Sequence, residues 1–371
     1  MILIDRRFFS HINWTLVGLL LVLFGLGILN LYSASALRME TGLSLTPYYK
    51  RQLIWGVMGL GFLLGAMSID YRHLKVVAVP LYVLTVILLL SVPLFGKTIY
   101  GARRWLDLGF MNLQPSELAK ISVLVITARL LAKVPDRLTW KPFLKICGVA
   151  AVPASLIVIQ PDLGTGMNIL LLVGGMVLFK GLSGNVLKPL LVLIPALLPF
   201  GWFLLHDYQK QRIMTFLNPG GDPLGAGYHI IQSQIAIGSG EFWGKGFLEG
   251  TQSQLRFLPE KHTDFALAVF GEEWGFVGCI LLLGIFCAYL YQITMVALES
   301  KDDFGSCLAA GVFFYFFWQV LINMGMVLGL MPVVGIPLPF VSYGGSSLIV
   351  NFCLIGIVLN VSMRRFFFKQ D

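Results

Sequence analysis

Charged residues are scarce in this sequence. Asp, Glu, Lys and Arg make up 12% of the 371 residues, and 57% of the residues are hydrophobic. A soluble domain usually carries about 25% charged residues. So few charges cannot cover the surface that a water-soluble chain of this length exposes, so lipid must be the main solvent. The composition therefore predicts a membrane protein and excludes two soluble domains.

Cysteine and histidine are also few, and the signature motifs of several enzyme classes are missing. All five Cys residues fall in apolar stretches, where Cys behaves as a small hydrophobic residue, so a disulfide framework or a zinc site is not expected. The five His residues do not cluster at metal-ligand spacing,. There is no HExxH, GxSxG or Walker motif. Zinc proteolysis, serine hydrolysis of the nucleophile-elbow type and P-loop ATP use are therefore excluded.

Long apolar runs are abundant. A bilayer core about 30 Å thick needs roughly 20 apolar residues per helix. The apolar stretches, three of them short, are residues 14–32, 53–67, 76–95, 118–131, 143–159, 167–179, 186–205, 274–296, 307–330 and 341–363. We expect an all-α polytopic membrane protein with about ten transmembrane helices in one domain, residues 1–371. No cleavage-site pattern closes the first stretch, so we expect a signal anchor.

The net charge of +8 carries information about topology rather than about nucleic acid. Cytoplasmic loops are enriched in Lys and Arg, and more than half of the 27 basic residues lie inside when the amino terminus is placed inside. Two outer turns, residues 160–166 and 331–340, contain no Lys or Arg. Both termini are therefore predicted to be cytoplasmic. Residues 207–263 form one long outer loop before helix 8, which we expect to be ordered, with a short interfacial helix around residues 230–237.

Ionisable groups in or near the membrane are costly, so each is a candidate functional residue. Glu117 and Lys120 are spaced i, i+3 on the predicted fourth helix, where opposite charges share one face. A structural ion pair explains them equally well. Just before them, Arg103, Arg104 and Trp105 place two guanidinium groups and an indole at the outer surface. They suit phosphate binding, although an aromatic and basic belt is the commoner explanation.

Two turns rich in Pro and Gly follow. In QPDLGTG, Asp162 lies between two short helices, as in transporter binding sites, but a helix cap has the same pattern. The uncharged segment 331–347, MPVVGIPLPFVSYGGSS, is typical of a rigid re-entrant turn buried among helices. We expect it to act as scaffold or to line a cavity.

Asp264 is the most informative acid, because it closes the long outer loop in PEKHTDF. The run 274–296 spans the bilayer alone, which leaves residues 263–273 at the outer interface or in a cavity. Partial burial raises the pKa of a carboxyl group and a neighbouring cation lowers it, so Asp264 suits a general base, although a solvated helix cap is an equally good explanation. Glu272 and Glu273 are further candidates, but the flanking Gly271 and Gly275 favour close packing instead.

Taken in order, these motifs resemble one family over nearly the whole chain. The segments RRWLDLG, QPSELAK, QPDLGTG, DPLGAGYHIIQS, GTQSQLRFLPEKHTDF and PVVGIPLPFVSYGGSS resemble the SEDS family of bacterial cell-wall proteins (shape, elongation, division and sporulation). The very short segment before the first apolar run and HDYQKQRIMTFLNPGGDPLGAGYHIIQS resemble the elongation branch of that family.

The resemblance implies a ten-helix peptidoglycan glycosyltransferase that polymerises lipid II at the outer face of the inner membrane. The essential acid of the family falls on Asp264, which would act as general base. Positive charge for the leaving pyrophosphate would come from Arg51, Arg103, Arg104 and Lys120, with a divalent cation (Mg or Mn) as a further candidate and no organic cofactor. Asp107 and Asp162 would bind a metal or orient sugars.

The resemblance also implies partners: lipid II, a class B penicillin-binding protein that supplies transpeptidation, and membrane proteins of the elongation complex, with no nucleic acid. A lipid II flippase is the alternative, but it should need polar groups at both depths of the membrane. A scaffold that only recruits the penicillin-binding protein would leave Glu117 and Lys120 without a task.

Overall fold

The computed structural model is mostly helical. It describes residues 11–35, 47–99, 102–107, 109, 112–204, 207–221, 225–255, 257–258 and 260–365. Its helices are α1 (Trp14–Ala34), α2 (Tyr48–Ser68), α3 (Arg72–Phe95), α4 (Pro115–Leu131), α5 (Trp140–Ile159), α6 (Leu163–Lys180), α7 (Gly184–Leu204), α8 (Asp207–Leu217), α9 (Ala226–Ser239), α10 (Thr251–Gln254), α11 (Ala266–Glu299), α12 (Asp303–Val327) and α13 (Gly345–Arg364).

A helix overlaps every apolar stretch that the sequence marked as a membrane span. Seven of them are long and apolar enough to cross a bilayer: α1, α3, α5, α6, α11, α12 and α13. Of the other three, α4 has 17 residues, the apolar part of α7 covers Gly184–Leu197, and α2 carries Lys50 and Arg51 in its first turn. The described residues therefore form a helical membrane protein with at least seven candidate spans.

A small sheet corrects the expectation of an all-α fold. The strands β1 (Lys97–Ile99), β2 (Ala102–Asp107) and β3 (Asn112–Leu113) pair antiparallel in the order β1-β2-β3 between α3 and α4. The residues that the sequence suggested as a surface belt, Arg103, Arg104 and Trp105, lie on the central strand. Because successive side chains of a strand point to opposite faces, Arg103 and Arg104 are directed to different sides.

The uncharged segment between α12 and α13 packs into the protein interior, in agreement with the predicted buried turn. Phe340 is 1% exposed, and its ring lies 5.7 Å from those of Phe316 on α12 and Phe352 on α13. Its φ of 65° is unusual for a bulky residue, so the surrounding rings must hold this conformation. Helix α13 begins at Gly345 rather than near residue 341, because the turn continues to Gly344.

Helix α11 is broken at Gly275, which has φ 63° and ψ −162°. The predicted span began at residue 274, whereas the observed helix begins at Ala266, and its first segment is buried almost throughout. A break leaves backbone groups without helical partners. A loop after α9 pairs with them: Lys245 and Gly246 donate their N–H groups to the carbonyls of Glu272 and Glu273 (both 3.1 Å).

The same loop also receives hydrogen bonds from the other side of the break. The N–H groups of Phe276 and Val277 donate to the carbonyls of Glu241 and Phe242 at 2.9 and 3.2 Å. Only Gly fits at position 244, since a Cβ atom there would lie 2.1 Å from the carbonyl oxygen of Glu273. We call residues 240–254 the clasp. A helix, α9, covers residues 230–237, where the sequence predicted a short interfacial helix, and it leads into this clasp.

Candidate active site

Asp264 lies directly before the short first segment of α11 and is half-buried. Its backbone carbonyl accepts a hydrogen bond from Asn323 Nδ2 at 3.0 Å, and the same nitrogen donates to the carbonyl of Ile336 at 2.8 Å. A Cβ atom added at Gly335 would lie 3.5 Å from Asp264 Oδ2, so the carboxylate faces the buried turn. Phe265 is the N-cap residue of α11, so Asp264 is not the helix cap that the sequence offered as an alternative.

The surroundings of Asp264 tune its acidity. Burial is the main cause that raises its pKa from 3.8 to about 6, and the negative charges of Glu260 and Asp162 add to the rise, whereas the Arg212 guanidinium opposes it. A carboxyl group with this pKa is mostly ionised at neutral pH and still basic enough to accept a proton. The electrostatic setting therefore suits a general base.

Asp162 is both a helix cap and a member of this site. Its side chain accepts a hydrogen bond from the N–H of Thr165 at 3.1 Å, as the N-cap of α6, so the capping interpretation is confirmed. The carboxylate also lies 3.9 Å from Arg104 Nη1. A Cβ atom added at Gly164 would lie 2.4 Å from the carbonyl oxygen of Val334. The start of α6 therefore touches the same buried turn that Asp264 faces.

Arg104 fixes the QPD turn in place. Its Nε donates to the carbonyl of Gln160 at 3.2 Å, and its Nη2 donates to the carbonyl of Pro161. Together with the Asp162 carboxylate, these acceptors engage much of the guanidinium group. Arg104 thus links strand β2 to the start of α6 and brings positive charge next to Asp162.

Glu117 and Lys120 form the ion pair that their spacing predicts, with Lys120 Nζ 2.7 Å from Glu117 Oε1. Both residues are buried, 7% and 5% exposed. Lys120 Nζ also lies 5.3 Å from the centre of the Tyr315 ring, whose hydroxyl donates to Asn351 Oδ1 at 2.8 Å. Asp162 is near enough to interact with Lys120 electrostatically, so this pair adjoins the same site.

The other predicted site residues are more exposed than Glu117 and Lys120. Arg103 is exposed, and its guanidinium donates to Thr98 Oγ1 and to the carbonyl of Pro93, both at 3.3 Å. Trp105 is half-buried on β2, and Arg51 is exposed in the first turns of α2.

Asp107 serves the small sheet. Its carboxylate accepts a hydrogen bond from the N–H of Gly109 at 2.9 Å and lies 3.2 Å from Lys97 Nζ, and both contacts lower its pKa. It therefore stabilises the hairpin, and its described contacts are not with Asp162 or Asp264.

Glu272 and Glu273 hold the clasp rather than facing Asp264. Glu272 is fully buried and accepts hydrogen bonds from Lys245 Nζ (2.9 Å), the N–H of Gln252 (2.8 Å) and the N–H of Ser253 (3.1 Å). Glu273 accepts a hydrogen bond from the Ser33 hydroxyl on α1. The close helix packing that the flanking glycines suggested holds at Gly271, where a Cβ atom would lie 3.1 Å from Ile237 Cγ1 on α9, whereas Gly275 packs against the backbone of the clasp.

Sequence reasoning missed two residues that the structure brings to Asp264. Asn323 on α12 holds its backbone, and Arg212 on α8 acts on its charge. Neither stands in a charged motif: Asn323 lies in an apolar helix and Arg212 in the amphipathic segment DYQKQRIMTFL. The spacing of apolar residues carries no signal for either contact, since both join segments distant in the chain.

The described residues offer no ready-made metal centre. In these parts of the chain, no group of three or more His, Cys, Asp or Glu side chains is placed to hold an ion. The arrangement instead supplies one carboxylate with a raised pKa, on which Arg212 acts, and two further cations, Arg104 and Lys120, near Asp162. That combination can remove a proton from a hydroxyl group and stabilise an anionic leaving group.

Known proteins of similar sequence have names that agree with this chemistry. The chain is 44% identical to the peptidoglycan glycosyltransferase MrdB of Escherichia coli (strain K12), over 96% of this chain and 94% of that protein. It is 39% identical to the probable peptidoglycan glycosyltransferase FtsW of Trichlorobacter lovleyi, over 98% and 96%.

Solved structures with a similar fold support the same relationship. One similar chain was solved in a study of the structural coordination of polymerization and crosslinking by a peptidoglycan synthase complex. It matches with a TM-score of 0.82 and 32% identity, over 97% of this chain and 99% of that one. The Rod shape determining protein RodA of Thermus thermophilus matches with a TM-score of 0.69 and 30% identity, over 97% and 98%. The sequence profile of the FtsW, RodA and SpoVE cell cycle proteins matches residues 13–366. The chain belongs to this FtsW/RodA/SpoVE family.

Proposed function

We propose that this protein is a peptidoglycan glycosyltransferase that polymerises lipid II into glycan strands during cell elongation, with Asp264 as general base. The main support for this proposal is the half-buried Asp264, whose carboxylate faces Gly335 and has a pKa raised to about 6. Relatives named peptidoglycan glycosyltransferase match this chain over nearly its whole length. The elongation role rests on the similarity to MrdB and RodA.

The reaction needs a base and a site for the leaving group. Asp264 takes the proton from the 4-hydroxyl of the acceptor's N-acetylglucosamine. That oxygen attacks C1 of the donor's N-acetylmuramic acid, and the bond between C1 and the phosphate oxygen breaks with inversion. Undecaprenyl pyrophosphate departs with the electron pair. Because the donor already carries a good leaving group, one carboxylate suffices, unlike the two of glycoside hydrolysis.

Positive charge around the acids stabilises the pyrophosphate. Arg104 and Lys120 are the predicted cations that lie next to Asp162, and Glu117 holds Lys120 in place. Arg51, Arg103 and Trp105 would contact the headgroup at the outer rim. Charge placed where charge develops is usually a large contribution to catalysis.

A divalent cation remains part of the proposal as an ion delivered with the substrate. Mg²⁺ is commonly bound through one or two carboxylates plus the oxygens of the substrate's phosphates, so a cluster of three acids is not required. Asp162 would be its carboxylate ligand, as the resemblance suggests, whereas Asp107, the other acid suggested, is paired with Lys97. Activity with and without a chelator tests this point.

The site is proposed to open to the outer face of the inner membrane, with about ten helices crossing the bilayer and both termini cytoplasmic. Supporting this orientation, the turns 160–166 and 331–340 carry no Lys or Arg, whereas Arg72 and Lys75 lie at the start of α3, the end away from the small sheet,. Residues 207–263 would then form the outer loop.

The partner is proposed to be a class B penicillin-binding protein that crosslinks the new glycan, together with other membrane proteins of the elongation complex. Supporting this, a similar chain occurs in a peptidoglycan synthase complex. The flippase alternative gains no support, since the relatives named above are transferases.

Polymerisation of lipid II by the purified protein, in the presence of its transpeptidase partner, tests the proposal. Asp264→Asn should fold and bind the partner but make no glycan, because the amide cannot accept the proton. Asp107→Asn is the matched control, since Asp107 pairs with Lys97 on the small sheet. Wild-type activity in Asp264→Asn would assign the base to another residue.

A further inference from the structure

The cations around Asp264 differ in how much of their hydrogen-bonding capacity is already used. Arg104 donates to two backbone carbonyls and adjoins Asp162. Lys120 is paired with Glu117 and packs over Tyr315. Both are therefore held by the protein itself, and a ligand would have to compete with buried partners for them.

Arg212 on α8 is different. In the described structure its guanidinium makes a single hydrogen bond, from Nη1 to the carbonyl of Val333 at 3.3 Å. Arginine carries five N–H donors, so most of its donors have no protein acceptor among the described residues. The bond to Val333 nevertheless fixes the group beside the buried turn, two residues from the Gly335 that Asp264 faces.

Arg212 is also the cation that acts on Asp264. Of the charged groups with a marked effect on this carboxyl group, Glu260 and Asp162 are negative and Arg212 is positive. Packed against Asp264 from α12 is the uncharged Asn323. An ionised Asp264 therefore has positive charge beside it from a side chain that α8 supplies.

We propose that Arg212 binds the pyrophosphate group of the lipid-linked donor beside the general base. The inference rests on the proposed function and assigns the principal phosphate contact to a residue outside the predicted set. A guanidinium group binds phosphate oxygens in a bidentate manner that an ammonium group cannot reproduce. A pyrophosphate group bound to Arg212 would lie beside the same buried turn that the carboxylate of Asp264 faces.

This assignment separates two duties of positive charge at the site. Arg104 and Lys120 belong to a fixed framework, held by Gln160, Pro161 and Glu117, and act on the pyrophosphate through their charge. Arg212 keeps its donors for the ligand, and its loss should weaken donor binding without dismantling that framework. A purely structural role for Arg212 would instead lower stability and leave the affinity for pyrophosphate unchanged.

Inorganic pyrophosphate is the probe, used both as an inhibitor of lipid II polymerisation and in direct binding calorimetry with the full-length protein. In Arg212→Gln, the KM for lipid II and the inhibition constant of pyrophosphate should each rise at least about tenfold, the loss of one good charged contact. Lys210→Gln is the control, because Lys210 carries the same charge and lies two residues earlier, on the other side of α8.

Unchanged pyrophosphate affinity in a folded Arg212→Gln would overturn the inference, and so would an equal loss in Lys210→Gln. If Arg212→Gln does not fold, Arg212→Lys keeps the charge but not the planar fork and should bind pyrophosphate several-fold more weakly than wild type. The calorimetric measurement of pyrophosphate binding does not require lipid II polymerisation. Failure of wild-type protein to polymerise lipid II would sink the proposed function, whereas pyrophosphate binding would still decide the role of Arg212.

Discussion

The pH dependence of polymerisation is the sharpest consequence of the environment of Asp264. A base must be ionised to accept a proton, so activity should rise with pH as Asp264 loses its own proton. With a pKa of about 6, about half of the molecules are active at pH 6 and about one tenth at pH 5. A carboxyl group with the ordinary pKa of 3.8 would still be more than about nine-tenths ionised at pH 5.

Initial rates of lipid II polymerisation at low substrate concentration, measured between pH 4.5 and 8, distinguish these cases. We expect kcat/KM to fall about tenfold between pH 7 and pH 5, whereas an ordinary carboxyl group predicts a loss of less than about a tenth. A melting curve at each pH checks that the protein stays folded. An acid limb near pH 4 would refute a buried Asp264 as the base.

Two substitutions should move that limb in opposite directions. Glu260→Gln removes a negative charge that raises the pKa of Asp264, so the limb should move to lower pH. Arg212→Gln removes the opposing positive charge, so the limb should move to higher pH. Lys210→Gln should leave the limb in place. Movement of the limb in the same direction in both variants would show that the titrating group is not Asp264.

Three further predictions concern the supporting structure. Glu272→Ala should lower the free energy of unfolding by about 3 kcal/mol, because it removes the ion pair with the half-buried Lys245 and leaves the backbone N–H groups of Gln252 and Ser253 unpaired,. Denaturant unfolding in detergent should show a smaller loss for Glu272→Gln. Gly244→Ala should destabilise strongly through its contact with a backbone carbonyl, whereas Gly238→Ala, with open space around it, should be tolerated in the same thermal assay. Lys120→Met should reduce both stability and polymerisation. Adding Glu117→Gln to this variant should restore stability but not polymerisation. Restored polymerisation in the double variant would show that the Lys120 charge has no catalytic task.

The helical pattern could be predicted because it depends on apolar run length, which lipid imposes on the sequence directly. The Glu117 and Lys120 pair followed from helical spacing, and the cap at Asp162 followed from a short polar residue before an apolar helix. In each case the contact is local, within four residues along the chain.

The remaining features depend on contacts between distant segments. The small sheet around Arg103 and Arg104 arises from pairing of strands too short to show an alternating pattern. The break at Gly275 becomes possible only because residues 240–246, about 30 positions earlier, supply its hydrogen-bond partners. Arg212 lies 52 positions before Asp264, so no spacing rule connects the two.

The break at Gly275 separates the short segment of α11 that follows Asp264 from the long remainder of the helix. Non-helical backbone at membrane depth is tolerated only where its polar groups are satisfied by protein or water. Here the clasp satisfies both sides of the break, Asn323 holds the carbonyl of Asp264, and Asn30 on α1 donates to the carbonyl of Ala266 at 2.9 Å. The segment that carries Asp264 is therefore fixed at both ends by hydrogen bonds from other elements. A change in the clasp should alter the rate of proton removal more than the affinity for pyrophosphate, because Arg212 is anchored separately, at Val333.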